Sequence, residues 1–114
     1  MEPQTNLQAC IEACEECLHA CQTCAAADIR EGGEMAACAL ICLDCADICG
    51  ATLAVLARGS EHHGDFCALC EHICRACAEE CAKHASHHEH CRVCKEACDA
   101  CAAACATHAT ERHP

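Results

Sequence analysis

Along this chain, buried-type positions recur every three or four residues, in four separate blocks. The first block, "CIEACEECLHACQTC", runs from residue 10 to 24. Cys10, Cys14, Cys17, Cys21 and Cys24 carry the repeat, and acids, alanines and amides fill most of the intervals. The second block repeats at Cys38, Cys42, Cys45 and Cys49. The third does so at Cys67, Cys70, Cys74, Cys77 and Cys81, and the fourth at Cys91, Cys94, Cys98, Cys101 and Cys105. Steps of three and four are the a/d stripe of a heptad, the face a helix turns toward a helical partner. Strand alternation is not seen, and β-branched residues are few.

Turn and cap residues separate the blocks. Thr5 with Gln8 reads as a capping box for a first helix, and "REGGE" at 30–34 ends it. Gly59, after Arg58, suits the end of a second helix. "SEHHGD" at 60–65 opens a third, with Ser60 or Asp65 as cap, and Ser86 with Glu89 reads as a capping box for a fourth. The pattern predicts helices over approximately 6–28, 34–58, 62–85 and 87–109. Short connections make them an all-α, antiparallel up-down-up-down four-helix bundle, a single domain over residues 1–114.

Reversing the second and fourth helices aligns the cysteines in layers about 5 Å apart along the bundle axis. Cys10, Cys67 and Cys105 form an end layer. Cys14, Cys49, Cys70 and Cys101 come next, then Cys17, Cys45, Cys74 and Cys98. Cys21, Cys42, Cys77 and Cys94 form the fourth layer, and Cys24, Cys38, Cys81 and Cys91 the last. All 19 cysteines of the 114-residue chain are used.

Composition sharpens this picture. Phe66 is the one aromatic residue, and leucine, isoleucine and valine are too few to fill a core, so cysteine and alanine must form much of it. A leucine-rich core would fill space better, so a seam made wholly of thiols points to their chemistry rather than their bulk. The formal charge of −11 offers no basic stripe for phosphates and argues against nucleic acid. The opening "MEPQTNLQAC" has no export signal, and no uninterrupted apolar run approaches the ~20 residues of a membrane span, so a soluble cytoplasmic protein is expected. An odd cysteine count at helical spacing also speaks against a disulfide scaffold.

Thiol catalysis needs one activated thiolate beside a base, not a stack of equivalents, so no enzyme is expected. Soft thiolates suit Cu(I), zinc and iron–sulfur clusters. Clusters of the last kind hang from loop cysteines at sparser spacing. Charge separates the other two. Monovalent copper at about one ion per sulfur neutralises the array, whereas tetrahedral zinc on four thiolates leaves about −2 at every site. The reading is storage or buffering of many Cu(I) ions. A zinc or general soft-metal buffer is the alternative, and a thiol-redox protein a third reading that disulfide geometry disfavours.

"CIEACEEC", "CADIC", "CALCEHICRACAEECAKH" and "HCRVCKEACDACAAAC" together resemble the bacterial four-helix-bundle copper storage proteins, in particular their signal-less cytosolic branch. The resemblance spans essentially the whole chain. It implies Cu(I) taken up inside a preformed bundle and commonly a homotetramer.

One heptad step beyond the cysteines lie Leu7, Thr52 or Leu56, His63 and His108 at one end. Asp28, Met35, His84 and His87 lie at the other. His63 and His108 are the stronger candidate ligands, since their layer lacks a fourth cysteine, and a histidine at the open end resembles the family pattern. Met35, His84, His87 and Asp28 follow, the last being a hard donor. His87, His88 and His90 form a candidate surface cluster, and His19 and His72 fall on outward positions. Helix two turns Ala36, Leu40, Leu43, Gly50, Ala51 and Ala54 outward, an apolar stripe expected to carry an oligomer interface. The partners expected are copper ions, a second copy of the chain, and a low-molecular-weight thiol or copper chaperone as donor.

Overall fold

In the computed structural model, which describes residues 3–111 with side chains from Leu7 onward, four helices carry almost the whole chain. They are α1 (Pro3–Glu31), α2 (Ala36–Ala57), α3 (His63–Ala82) and α4 (Glu89–Ala106), with a 3-10 turn at Gly33–Met35 leading into α2. The molecule is a rod of 48 × 21 × 18 Å. Each helix packs on its two neighbours in the order α1, α2, α3, α4 and back to α1. Among the described residues, the diagonal pairs α1/α3 and α2/α4 have no direct backbone approach. The section is therefore a square, and its middle is filled by side chains alone.

Those side chains are the cysteines, all free thiols and each no more than 1% exposed. Ala25, Ala46, Ala78 and Ala102 are buried beside them, small enough to let the helices close on a core of small residues. Ile11, Leu18, Ile41, Ile48, Leu53 and Ile73 pack half-buried along the edges of the seam. Outer faces carry i,i+3 and i,i+4 ion pairs such as Glu71–Arg75 at 2.9 Å and Lys95–Asp99 at 2.8 Å, exposed contacts of little energetic weight.

Helix ends differ from the expected caps in three places. The backbone of α1 is helical from Pro3, upstream of Thr5, whose side chain lies outside the described residues. Gln8 reaches forward to Glu12 at 3.3 Å rather than back to a cap. Ser60 does not cap α3. Its hydroxyl accepts the His62 N–H at 3.1 Å inside the preceding turn, and His62 occupies the cap position without a side-chain cap, as Asp65 lies within the helix. Ser86 likewise sits within successive turns that follow α3, so α4 starts at Glu89 after an extended His88. The His63 amide donates to the Ser60 carbonyl, and the Cys91 and Arg92 amides donate to the His88 carbonyl, so neither serine caps the helix that follows.

Where Gly59 ends α2, expectation and structure agree. Its φ is +68°, its N–H donates to the Leu56 carbonyl at 3.1 Å, and the Ser60 N–H donates to Val55 at 2.9 Å. This is a Schellman closure, and it needs the left-handed region that glycine enters freely.

The segment Gly33–Ala57 is long and apolar enough by composition to cross a membrane. In the bundle it is instead divided by face. Its cysteines are buried, while Leu40 stays 65% and Leu43 42% exposed, flanked by the exposed acids Asp44 and Asp47.

Gly59→Ala should lower the stability of the reduced apo-protein by about 1 kcal/mol, because alanine is strained at positive φ. Urea unfolding checks this, and the far-ultraviolet helical signal of the folded state should not change.

Candidate metal centre

The heptad steps within each helix place its cysteines on one stripe, and the square packing turns the four stripes inward. Their sulfurs meet across every helix pair. In the middle of the rod, Cys17 Sγ lies 3.9 Å from Cys45, 4.0 Å from Cys74 and 3.7 Å from Cys98, while Cys45 lies 3.6 Å from Cys74 and 3.9 Å from Cys98. Diagonally opposed helices thus touch through sulfur.

The expected layers are present, but they are not separate. Cys14–Cys105 at 4.0 Å, Cys70–Cys74 at 3.8 Å, Cys49–Cys74 at 3.9 Å, Cys21–Cys98 at 3.8 Å and Cys42–Cys81 at 3.9 Å link each layer to the next. Several four-sulfur groups compact enough for one ion take three cysteines from one layer and one from its neighbour. Cys14, Cys70 and Cys101 join Cys105, and Cys17, Cys45 and Cys74 join Cys49. Groups also overlap: Cys17 and Cys45 recur with Cys21 and Cys98. The physical reason is stagger. Adjacent antiparallel helices offer their a and d positions at slightly different heights, so sulfurs interleave instead of stacking in planes. The array is one continuous lattice of shared donors.

Burial opposes ionisation of these thiols, and hydrogen bonds among them redistribute it. Burial pushes Cys91 up to about 12. A hydrogen bond with Cys10, together with burial, holds Cys67 at about 12. Hydrogen bonds with Cys21 and with Cys105 bring Cys77 and Cys101 respectively down to about 7. A dry file of unpaired thiolates is too costly to exist, so thiol protons leave as cations arrive.

At one end, His63 and His108 are 7% and 5% exposed, with ring centroids 6.2 Å apart in an edge-on arrangement. Glu111 joins them. Its carboxylate lies 2.6 Å from His63 Nε2 and 3.0 Å from His108 Nδ1, while His63 Nδ1 lies 3.0 Å from the Ser60 carbonyl. Glu111 escaped the sequence reading, because it lies past the last helix and is brought in by the turns after Ala106. A pocket of about 360 Å³ leads here, lined by Ala9, Cys10, Ala104, Thr107, His108 and Glu111. Thr52 takes the place of the missing fourth cysteine, fully buried with its hydroxyl donating to the Phe66 carbonyl at 3.5 Å. Leu56 is buried beside this end and Leu7 half-buried.

At the opposite end Asp28 is 1% exposed, Met35 4%, and both adjoin the last cysteines. His84 turns aside to Glu80 at 3.1 Å, and His87 is exposed. The histidine that reaches the seam is His90, whose Nδ1 lies 3.5 Å from both Cys24 and Cys91. Expected in a surface cluster with His87 and His88, it instead turns its ring inward in the first turn of α4, beside Cys91, which holds the seam position. Burial raises the Asp28 carboxyl to about 7, with the Cys38 hydrogen bond adding to the rise. His19 and His72 are exposed, as their outward positions predict.

Three comparisons place this arrangement among known proteins. A family model described as "Copper storage protein" matches residues 3–110. The Cu(I)-bound copper storage protein BsCsp3 of Bacillus subtilis is 37% identical, with 92% of this chain and 99% of that one covered at a TM-score of 0.86. A cytosolic copper storage protein from Streptomyces lividans, solved with five coppers, is 39% identical over 93% of each chain at a TM-score of 0.85. An uncharacterized cysteine-rich protein of Bacillus subtilis, YhjQ, is 38% identical over 83 residues, 71% of this chain and 77% of its own.

The acidic link at the His63 end has a pH signature. The His63 hydrogen bond holds the Glu111 carboxyl below its ordinary range, so its contribution exists above that range and fades as pH falls. Burial works against charging His63, but the hydrogen bonds to Glu111 and to the Ser60 carbonyl, with the Glu111 charge, together outweigh it and raise the imidazole, so that contribution fades as pH rises past the raised value. Glu111→Gln should therefore cost most near about pH 5.5, between the ordinary carboxyl and imidazole values, and less on either side. The half-exposed carboxylate limits the cost to about 1 kcal/mol. Urea midpoints of both reduced apo-proteins across pH 4–8 test it, and a pH-independent difference contradicts it.

Proposed function

This chain belongs to the copper storage protein family, and from that premise we propose that it stores Cu(I) on the cysteine lattice of its core. The observation that carries the reading is the continuity of that lattice. Neighbouring sulfurs lie 3.6 to 4.0 Å apart along the whole rod, in a file almost closed to water. Shared donors suit bridging thiolates between many monovalent ions, which can approach one per sulfur and cancel the charge. Discrete zinc sites require four thiolates apiece, and the overlap at Cys17, Cys21, Cys45 and Cys98 forbids filling neighbouring groups independently. The divalent alternative also leaves about −2 on each buried site.

The proposed ligands are the nineteen cysteines, with His63 and His108 handling exchange at their end and Met35 offering a thioether at the other. His84 and His87 are left out, being paired with Glu80 and exposed to solvent respectively. The role is storage: the matching family is one of copper storage proteins, and a file of nineteen near-equivalent thiols suits many like ions rather than a single nucleophile. A cytoplasmic setting agrees with the cytosolic relative from Streptomyces lividans and with a reservoir of free thiols, which reducing compartments preserve. A low-molecular-weight thiol or a copper chaperone is the proposed donor.

Self-association through α2 completes the proposal. Ala36, Ala39, Leu40 and Leu43 line a shallow apolar depression of about 310 Å³ with Ile29, which is 64% exposed. An apolar face of this kind is suited to a second copy of the chain.

Two measurements follow. Anaerobic titration of the reduced apo-protein with Cu(I), against a strong chelator, should saturate near one ion per thiol, approaching nineteen per chain. Saturation at about four or five ions, with zinc held against copper, would replace the copper reading with tetrahedral zinc sites. The double variant Leu40→Glu and Leu43→Glu should sediment as a monomer with copper capacity retained. Unchanged sedimentation sinks the α2 interface.

A further inference from the structure

At the Thr52 end of the rod, both imidazoles are held in a way that withholds them from a metal. His63 Nδ1 lies 3.0 Å from the Ser60 carbonyl oxygen, and its Nε2 lies 2.6 Å from Glu111 Oε1. Each ring nitrogen therefore faces an acceptor oxygen, and neither offers a lone pair to a cation. His108 Nδ1 lies 3.0 Å from each carboxylate oxygen of the same glutamate. One carboxylate thus spans two rings whose centroids are 6.2 Å apart. The two histidines are buried, yet the Glu111 side chain is 46% exposed. The bridge is closed from the solvent side, by a residue whose departure uncovers no core.

We propose that Glu111 is a clasp on copper exchange: closed, it holds His63 and His108 out of use, and open, it releases them to take Cu(I) and pass it to Cys10. This inference rests on the copper reading above. The pocket of about 360 Å³ supports it, because His108 and Glu111 stand on its wall together with Cys10. Cys10 is 1% exposed, whereas the other cysteines are at 0%. From Cys10 the sulfurs continue without a gap, 3.7 Å to Cys105, 4.0 Å from there to Cys14 and 3.8 Å on to Cys101. An ion delivered to Cys10 reaches the interior along these contacts.

Opening needs no helix to move. Glu111 lies past α4 in consecutive turns, where the His108 N–H donates to the Cys105 carbonyl and the Glu111 N–H to the His108 carbonyl, each at 3.0 Å. Rotation about its own side-chain bonds withdraws the carboxylate. Transfer is then ligand exchange with no change of oxidation state. A small-thiol complex of Cu(I) gives up one Cu–S bond as a Cu–N bond forms to imidazole. The Cu–N bond breaks in turn as Cys10 binds, and the Cys10 thiol proton passes through solvent to the released small thiolate. Thiolate is the softer donor, so the ion moves inward. Glu111 touches no copper in this scheme. It is a positioning residue that acts through the two rings.

The test is the rate at which the full-length, reduced apo-protein takes Cu(I) from its glutathione complex, followed anaerobically by stopped flow through the thiolate-to-copper absorption. Glu111→Gln and Glu111→Ala should each load about fivefold faster, since losing a half-exposed hold of this kind raises the open fraction by about that factor. Final capacity should stay near one ion per thiol, with the helical signal unchanged. In a His63→Ala, His108→Ala background the same changes at Glu111 should have no effect, because nothing is left to clasp. Equal rates for the wild type and both Glu111 variants, at full capacity, overturn the clasp and leave the copper reading standing. So does an acceleration that persists in the double-alanine background, which assigns Glu111 only a charge effect on the incoming anionic complex. A wild type that saturates at about four or five ions fails the copper reading itself, and the clasp with it.

Discussion

Everything in this molecule depends on packing nineteen ionisable sulfurs into one file that water hardly reaches. Such a file cannot carry its own charge. It must remain protonated or be neutralised by cations at close to one charge per sulfur. The helical period serves that end by giving each helix a single cysteine stripe, and the square packing brings four stripes to one axis. Bulky residues would spread the helices and break the sulfur contacts. This is why alanines such as Ala25, Ala46, Ala78 and Ala102 occupy the flanks, and why isoleucines and leucines are confined to the edges of the seam.

A core of thiols has a consequence for specificity that a core of isolated sites would not have. Because sulfurs interleave between layers, any ion placed on three of them is close to a fourth that also belongs to the next group. Filling one position alters the charge and donors of its neighbour. Loading is then a property of the lattice rather than of separate centres, which fits storage of many like ions better than selective binding of a few. Preformed spacing adds to this. The thiols stand at ligand distances without any rearrangement of helices, so the cost of ordering the donors falls on folding and not on metal uptake.

The ends set the boundary conditions. At one, two imidazoles share a carboxylate over a fully buried threonine. At the other, a buried carboxylate and an imidazole close on two thiols. Both replace soft donors by harder ones where the file meets solvent. The first opens onto a pocket that reaches Cys10. The outer surface is mostly acid-rich and wet, and α2 exposes the pair Leu40 and Leu43.

Helix identity, the antiparallel order and the membership of every cysteine in its layer were legible in the chain itself. Period and turn residues act locally, and a seam of nineteen identical residues leaves the register almost no freedom. His63 and His108 could be placed for the same reason, as continuations of a heptad. Extrapolation failed where the heptad stops. His84 and His87 occupy the expected sequence positions, but α3 ends at Ala82, and in the turns that follow His84 pairs with Glu80 and His87 is exposed, while His90 lies against the last thiols. Glu111 lies beyond any periodic signal and arrives only because the chain folds back over the bundle end. The caps at Ser60 and Ser86 were displaced by turns, with the Ser60 hydroxyl accepting inside its own turn and backbone carbonyls serving the first amides of the helices. By itself, then, the sequence determined the bundle, its file of sulfurs and the class of metal that such a file attracts, because these follow from spacing and charge. Tertiary structure alone decided how the layers interleave and which polar groups close each end, because helix stagger and chain reversal bring together residues that no local period connects.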